Sequence, residues 1–149
     1  MRLESVIFTL EDTLFEPDGS GVIRADVEKF LTLLKFEGVV MYGTMDLANK
    51  DALALMKKND LDRYFKGIVT SDVMRLPADS AQMFERALVR LHTTKMRTVV
   101  FSGHLHGLEE ATKAGFRTIA VKGAQDEAEW EQMKAIATES VETFGEYLK

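Results

Sequence analysis

One apolar stretch near the N-terminus limits the folds that this chain can adopt. Residues 6–10 are apolar apart from Thr9, and the polar pair Glu11 and Asp12 follows them. An apolar run of this length that ends in a polar turn is typical of a strand buried on both faces. We predict a strand over residues 3–10. Because side chains two positions apart on a strand share a face, Thr9 and Glu11 are expected to point the same way.

Further apolar runs alternate with helical patterns along the rest of the chain. Strands are predicted at 39–42, 67–70, 98–101 and 118–121, and helices at 25–36, 46–58, 80–91, 108–114 and 126–133. Residues 16–21 are rich in turn formers and are predicted to form a short flap. Residues 135–137 are a candidate for a short sixth strand, and Ser140 is the predicted cap of a last helix that ends at Tyr147. The pattern predicts one α/β domain over residues 1–149, with a parallel sheet covered by helices on both faces.

The predicted topology places several polar residues at one edge of the sheet. Ligands of open α/β sheets bind beyond the carboxyl ends of the strands. Those ends carry Thr9, Glu11, Gly43, Thr44, Ser71, Asp72 and residues 102–106. We therefore expect these groups to converge on one crevice.

The end of the first strand resembles the first signature of the haloacid dehalogenase (HAD) superfamily, Asp-x-Asp-Gly-Thr-Leu. Thr9 stands at the position of the nucleophilic Asp that forms an aspartyl-phosphate, and Glu11 at the position of the acid/base Asp. Asp12 stands at the Gly position, while Thr13 and Leu14 match the signature. The resemblance implies a three-layer α/β/α Rossmann-like fold with strand order 5-4-1-2-3, no cap domain, and Mg²⁺ as the cofactor of active members.

The later motifs resemble those of the family in their apolar strands and spacing, but the side chains that carry the chemistry are replaced. Thr44 follows an apolar strand, like the Ser/Thr of the second motif that holds phosphate. Ala78 stands in place of the Lys of the third motif, for which Arg75 is the nearest cation. Gly103 and Gly107 stand in place of the two metal-binding Asp residues of the fourth motif.

These replacements predict a loss of phosphoryl-transfer chemistry. The reaction needs a carboxylate nucleophile and a Mg²⁺ held by anionic oxygens. Thr9 offers a neutral hydroxyl without an evident base, and two glycines offer no ligand. We expect a catalytically inactive pseudo-phosphatase without a bound metal that acts as a binding or regulatory module. A divergent phosphohydrolase that uses Glu11, Asp12 or the histidines, and a structural or assembly protein, are the alternatives.

Three carboxylates are predicted to be needed together for activity. We expect Thr9→Asp alone to be tolerated, because a crevice at the strand ends is solvated, and to restore nothing. At least Thr9→Asp, Gly103→Asp and Gly107→Asp are predicted to be required in combination.

His104 and His106 form a His-x-His pair that could ligate a transition metal. The string also resembles the Gly-His-x-His element of calcineurin-like metallophosphoesterases, which need several further ligands. The chain has only three histidines, so we interpret the pair as part of a solvated loop. Glu11 and Asp12 are likewise interpreted as turn and helix-dipole partners.

The composition narrows the classes of partner that this chain is expected to bind. A net charge of −5 argues against a nucleic-acid surface, and the lack of cysteine excludes disulfides and thiolate metal sites. No apolar run is long enough to cross a membrane, and residues 1–4 lack a signal-peptide pattern. A cytoplasmic protein without a membrane partner is the expectation. Because capless HAD relatives tend to act on bulky substrates, the resemblance implies a protein or another macromolecule as the partner.

Overall fold

The computed structural model describes residues 3–149 and is built around one parallel sheet. Its strands are β1 (Ser5–Thr9), β2 (Val40–Met45), β3 (Phe65–Thr70), β4 (Thr98–Ser102), β5 (Arg117–Val121) and β6 (Glu139–Val141). Their order is β3-β2-β1-β4-β5-β6, and every pairing between neighbours is parallel. The predicted order 5-4-1-2-3 is confirmed, with β1 in the middle of the sheet.

Helices cover both faces of this sheet. The α-helices are α1 (Leu10–Thr13), α2 (Val27–Phe36), α3 (Asn49–Lys58), α4 (Ser71–Met74), α5 (Ala81–Leu91), α6 (Leu105–Lys113) and α7 (Glu127–Ile136). Two 3-10 helices span Lys95–Arg97 and Phe144–Leu148. The second of these packs on one face with α2 and α3, while α5, α6 and α7 pack on the other. The three-layer α/β/α architecture is therefore confirmed, and no separate cap is present within residues 3–149.

The apolar run of β1 is buried on both faces, as its sequence predicts. All five residues of the strand are buried. Phe8 packs against Phe101 with ring centroids 5.1 Å apart, in the cluster that includes α2. Ile7 points to the opposite face and belongs to the cluster that includes Phe84 of α5. An element that is apolar on both sides needs a helical layer on each side, which explains its central place.

The last elements of the chain differ from the prediction. The strand predicted at 135–137 is wrong, because α7 continues to Ile136 to bury Trp130 and Met133 against α6 and β5. The sixth strand is β6, which begins at Glu139, four residues beyond the predicted start. The predicted cap at Ser140 is also wrong, because this residue pairs with Ala120 inside β6. Thr143 caps the final 3-10 helix instead, in a reciprocal arrangement with Glu146.

Strand β2 extends three residues beyond its predicted end, so Thr44 lies within the sheet. Thr44 is opposite Thr9 in the register of β1 and β2. This position buries a side chain that was expected to line an open crevice.

Within the described residues, none of the helices combines the length and the apolar character that a membrane span requires.

Candidate functional site

A cavity of about 400 Å³ opens at the carboxyl edge of the sheet. It lies between the single helical turn α1 (the turn after β1), the loop after β4, the loop after β5 and the flap of residues 16–21. The flap is a short hairpin in which Phe15 bridges Ile23 and the Glu16 amide donates to the Val22 carbonyl at 2.7 Å. The wall carries the polar side chains Glu11, Asp12, Glu16, His104, Gln125 and Glu129. Four of these six are carboxylic acids, so the cavity has an acidic wall.

Asp12 lines this cavity and links two strand ends. Its Oδ1 accepts hydrogen bonds from Thr9 Oγ1 at 2.6 Å, from Thr13 Oγ1 at 2.7 Å and from the Gly103 amide at 3.3 Å. Burial raises the pKa of the Asp12 carboxyl, although these three donors and the nearby His104 act in the opposite direction. Asp12 therefore does more than form a turn, because it joins the end of β1 to the loop after β4.

Thr9 is buried beneath Asp12, with 4% of its surface exposed. Its hydroxyl also lies 3.0 Å from Ser102 Oγ and 3.1 Å from Thr13 Oγ1. The expectation that Thr9 lacks a base is wrong, because Asp12 lies within hydrogen-bond distance. The expectation that Thr9→Asp lies in solvent is wrong as well, because a new carboxylate there would be buried against Asp12.

Glu11 points toward the end of β2. Its Oε1 accepts the Asp46 amide at 2.6 Å, and Asp46 Oδ1 accepts the Ala78 amide at 3.0 Å. Burial raises the pKa of the Glu11 carboxyl; the Asp46 amide lowers it, and the negative charges of Asp46 and Asp12 raise it further. The backbone donors of these two loops are thus occupied by carboxylates of the chain itself.

Most positions equivalent to the HAD motifs lie inside the protein. Thr9, Thr44, Ala78, Gly103 and Gly107 are buried, and Glu11 is half-buried. Thr44 Oγ1 has no hydrogen-bond partner within residues 3–149. Only two of the six positions, Glu11 and Gly103, contribute to the cavity wall. The opening therefore lies to one side of the motif positions.

Gly103 has no room for a ligand side chain, and Gly107 has room for one only if the Ser102 side chain moves. A Cβ at Gly103 would lie 2.1 Å from the carbonyl oxygen of Asp12, which is backbone, and a Cβ at Gly107 would lie 2.6 Å from Ser102 Oγ. No group of three or more His, Asp or Glu side chains that could hold a metal occurs in the part of the chain described. The residues present do not fit Mg²⁺. The triple aspartate variant predicted from the sequence would therefore need the backbone to move at residue 103.

The remaining candidate residues, His104, His106 and Arg75, do not all line the cavity. His104 lines the cavity, whereas His106 is exposed on α6, and neither it nor Arg75 belongs to the cavity wall. Arg75 is exposed and has a left-handed backbone with φ 57°. The crevice expected from the sequence thus contains Glu11, Asp12 and His104, with Thr9 buried below them.

Gln125 is a site residue that sequence reasoning missed. Its Nε2 donates to the carbonyls of Gly103 at 2.8 Å and Val121 at 3.0 Å, so it holds the ends of β4 and β5 together. Its position in a polar segment between β5 and α7 carries no motif that could have indicated this role. Glu16 and Glu129 were missed for the same reason.

Comparisons with known proteins relate the chain to one protein family and to several solved structures. Residues 23–121 match the profile of a family described as haloacid dehalogenase-like hydrolase. No curated protein sequence matches the chain significantly. The structure is similar to a haloacid dehalogenase-like family hydrolase from Streptococcus pneumoniae, with 14% identity and a TM-score of 0.78 over 98% of this chain and 97% of that one.

Two longer proteins share the fold over part of their length. CbbY from Rhodobacter sphaeroides, solved in complex with phosphate, is 21% identical with a TM-score of 0.70 over 83% of this chain and 55% of its own. A dehalogenase solved with an intermediate complex is 21% identical with a TM-score of 0.73 over 84% and 54%. The chain thus spans about half the length of these two proteins. At such identities the likeness shows the fold alone.

The close approach at Gly103 predicts a large cost for the smallest substitution there. We expect Gly103→Ala to lower the free energy of unfolding by about 1–3 kcal/mol, because the added methyl group overlaps backbone that cannot rotate away. Urea denaturation measures this change. Gly123→Ala is the matched control, since its Cβ meets nothing nearer than 3.9 Å, and it should stay within about 0.5 kcal/mol of wild type. Equal stability of the two variants would contradict the close approach.

The raised pKa of Asp12 predicts a pH-dependent effect of Asp12→Asn. A group whose native pKa is raised contributes fully to stability at acid pH, and that contribution is lost as the pH rises through the native pKa. The Asn variant cannot titrate, but its amide oxygen still accepts from Thr9 and Thr13. Its stability relative to wild type should therefore increase as the pH rises from about 4 to about 7, as measured by urea denaturation across that range. Glu11 titrates in both proteins, and the loss of the Asp12 charge also reduces the rise of its pKa in the variant, which changes the stability difference in the same direction. A difference that stays constant with pH would refute the raised pKa of Asp12.

Proposed function

Because the chain belongs to the haloacid dehalogenase-like hydrolase family, we propose that it is a noncatalytic member whose strand-end cavity binds a ligand without hydrolysing a phosphate ester. The close approach of Gly103 to the Asp12 carbonyl carries this proposal, because no metal-binding side chain fits there. Without that ligand the site cannot hold the Mg²⁺ that offsets the charge of a transferring phosphoryl group.

The position of the nucleophile supports the same function. Thr9 is almost fully buried, and its hydroxyl is surrounded by Asp12, Thr13 and Ser102. A nucleophile must approach the reacting atom to about 3 Å. A hydroxyl in this place reaches no molecule in the cavity unless the turn after β1 opens.

The negative charge of the cavity wall disfavours the binding of a phosphate ester. Glu11, Asp12, Glu16 and Glu129 contribute four acidic groups to the wall, and His104 is the one potential cation among the described residues that line it. Ala78 leaves the place of the family's lysine without a charge, and its amide is bonded to Asp46. Like charges at short range repel, so the electrostatics favour a neutral or cationic group over a phosphate dianion.

A binding role accounts for what is retained. A volume of about 400 Å³ is ordinary for a small-ligand pocket. Short loops form its wall and no separate cap covers it within residues 3–149. A side chain or loop of a partner macromolecule can enter such a cavity, and we propose a macromolecule as the partner.

A divergent hydrolase is the second candidate, and one observation favours it. Thr9 Oγ1 and Asp12 Oδ1 are 2.6 Å apart, which is the geometry of a nucleophile and its base. The burial of Thr9 counts against it. Asp12→Asn distinguishes the two candidates, because it removes the base and leaves the shape of the site unchanged.

The proposal predicts no Mg²⁺-dependent turnover of p-nitrophenyl phosphate. We expect kcat below about 10⁻³ s⁻¹ for wild type, against the roughly 1–10³ s⁻¹ typical of enzymes. Thr9→Asp should not raise it, because one restored member of a catalytic unit returns little rate. A time course of nitrophenolate release with and without Mg²⁺ measures both proteins.

Two results would overturn this proposal. Robust Mg²⁺-dependent turnover that is lost in Glu11→Ala would identify an active HAD-type phosphatase. Turnover without metal that is lost in Asp12→Asn would identify the divergent hydrolase.

A further inference from the structure

Two consecutive hydrogen bonds join three loops at the carboxyl edge of the sheet. Glu11, in the turn after β1, accepts the Asp46 amide at 2.6 Å. Asp46, which follows β2, accepts the Ala78 amide at 3.0 Å, and Ala78 precedes α5. Ser71 Oγ also donates to the Asp46 carbonyl at 3.1 Å. Asp46 is thus a donor, a carboxylate acceptor and a carbonyl acceptor at once, and a movement of this residue changes all three contacts.

We infer that Glu11 and Asp46 form an acid-released latch beside the cavity. When the Glu11 carboxylate is ionised, it holds the loop after β2, and through Asp46 the loop before α5. When Glu11 takes a proton from solvent, the first bond weakens and the loops separate more readily. The inference rests on the proposed function in one respect: Glu11 lines the cavity proposed as the ligand site, so the latch would regulate that site.

The chemistry of the acceptor explains why a proton releases the latch. A hydrogen bond from a backbone amide to an ionised carboxylate is roughly twice as strong as one between neutral groups. Protonation of Glu11 removes that charge without any other bond being made or broken. Burial is the main cause that raises the pKa of Glu11, so the carboxyl is protonated at a higher pH than an ordinary glutamate.

Charged groups around Glu11 also affect its pKa. Those that face it or share its cavity are Asp12 from its own turn, Asp46 from the end of β2, Glu16 from the flap, Glu129 from α7 and His104 from the loop after β4. Four of the five are acidic and favour the protonated form of Glu11, whereas a positive charge on His104 opposes it. The negative charges of Asp46 and Asp12 therefore raise the pKa of Glu11 and with it the pH at which the latch is released.

Asp72 provides an internal reference in the same protein. Its carboxylate accepts the Asn49 amide at 3.1 Å and Thr70 Oγ1 at 2.7 Å. The Thr70 hydroxyl is the main cause that lowers the pKa of Asp72, and the carboxylate is fully exposed. The bond between Asp72 and Asn49 should thus survive to a lower pH than the bond between Glu11 and Asp46.

Amide chemical shifts test the latch directly. We would record ¹H–¹⁵N correlation spectra of the full chain from about pH 7.5 to about pH 3.5. The Asp46 amide should shift with a higher midpoint than the Asn49 amide, and the Ala78 amide should shift together with Asp46. Glu11→Gln should abolish the step at Asp46, should remove from Ala78 the part of its shift that shares the Asp46 midpoint, and should leave the step at Asn49. Glu16→Gln removes an acid from the same cavity, one whose side chain accepts no backbone amide within residues 3–149, and this variant should retain both steps.

Three results would overturn the inference. The Asp46 amide could show no step, or a midpoint at or below that of Asn49. Its step could persist in Glu11→Gln. The Ala78 amide could stay constant while Asp46 shifts, which would mean that the loops do not move together. If Glu11→Gln fails to fold, the order of midpoints in the wild type still decides. Neither turnover nor ligand is measured, so the result is independent of whether the proposed function holds.

Discussion

The hydrogen bonds of the partly buried Asp12 carboxylate are the interactions on which the carboxyl edge of this sheet depends. A charge taken out of water is costly unless hydrogen bonds satisfy it. Thr9, Thr13 and the amide of Gly103 supply those bonds. Because the donors come from the end of β1, from its turn and from the loop after β4, one side chain joins the two central strands. The bond to Gly103 also brings that residue against the Asp12 carbonyl, where only a glycine fits.

The same contact limits the chemistry of the site. The room that a metal ligand would need at residue 103 is filled by the backbone of the turn that carries Asp12. On the proposed function, what stabilises the edge of the sheet also excludes HAD-type phosphoryl transfer. The family scaffold persists around this change, which illustrates that a fold positions a site but does not determine what the site does. Two further backbone amides at this edge of the sheet are bonded in the same way. Glu11 accepts the Asp46 amide, and Asp46 accepts the Ala78 amide.

The central place of β1 was predictable, because an apolar run flanked by helical patterns has few ways to bury both of its faces, whereas the order of the strands was implied by the resemblance to the HAD superfamily. The placement of Thr9 and Glu11 at a strand end followed from that run. The role of Asp12 could not be predicted, because its partner Gly103 is 91 residues away and the contact depends on how two loops pack. The boundary between α7 and β6 was missed because the burial of Trp130 and Met133 extends the helix past residues that resemble a strand. Local patterns do not contain these tertiary contacts.

Carboxylates of the chain itself bond the backbone amides of Asp46 and Gly103 at the strand ends, and on the proposed function this arrangement leaves no place for a catalytic metal. A high-resolution crystal structure of the chain grown with Mg²⁺ and inorganic phosphate tests it most directly. We expect the Asp46 amide to remain bonded to Glu11 and the Gly103 amide to Asp12, with no octahedral metal density beside Thr9. A Mg²⁺ ion that bridges phosphate to residues at this edge of the sheet, with either carboxylate displaced from its amide, would contradict it.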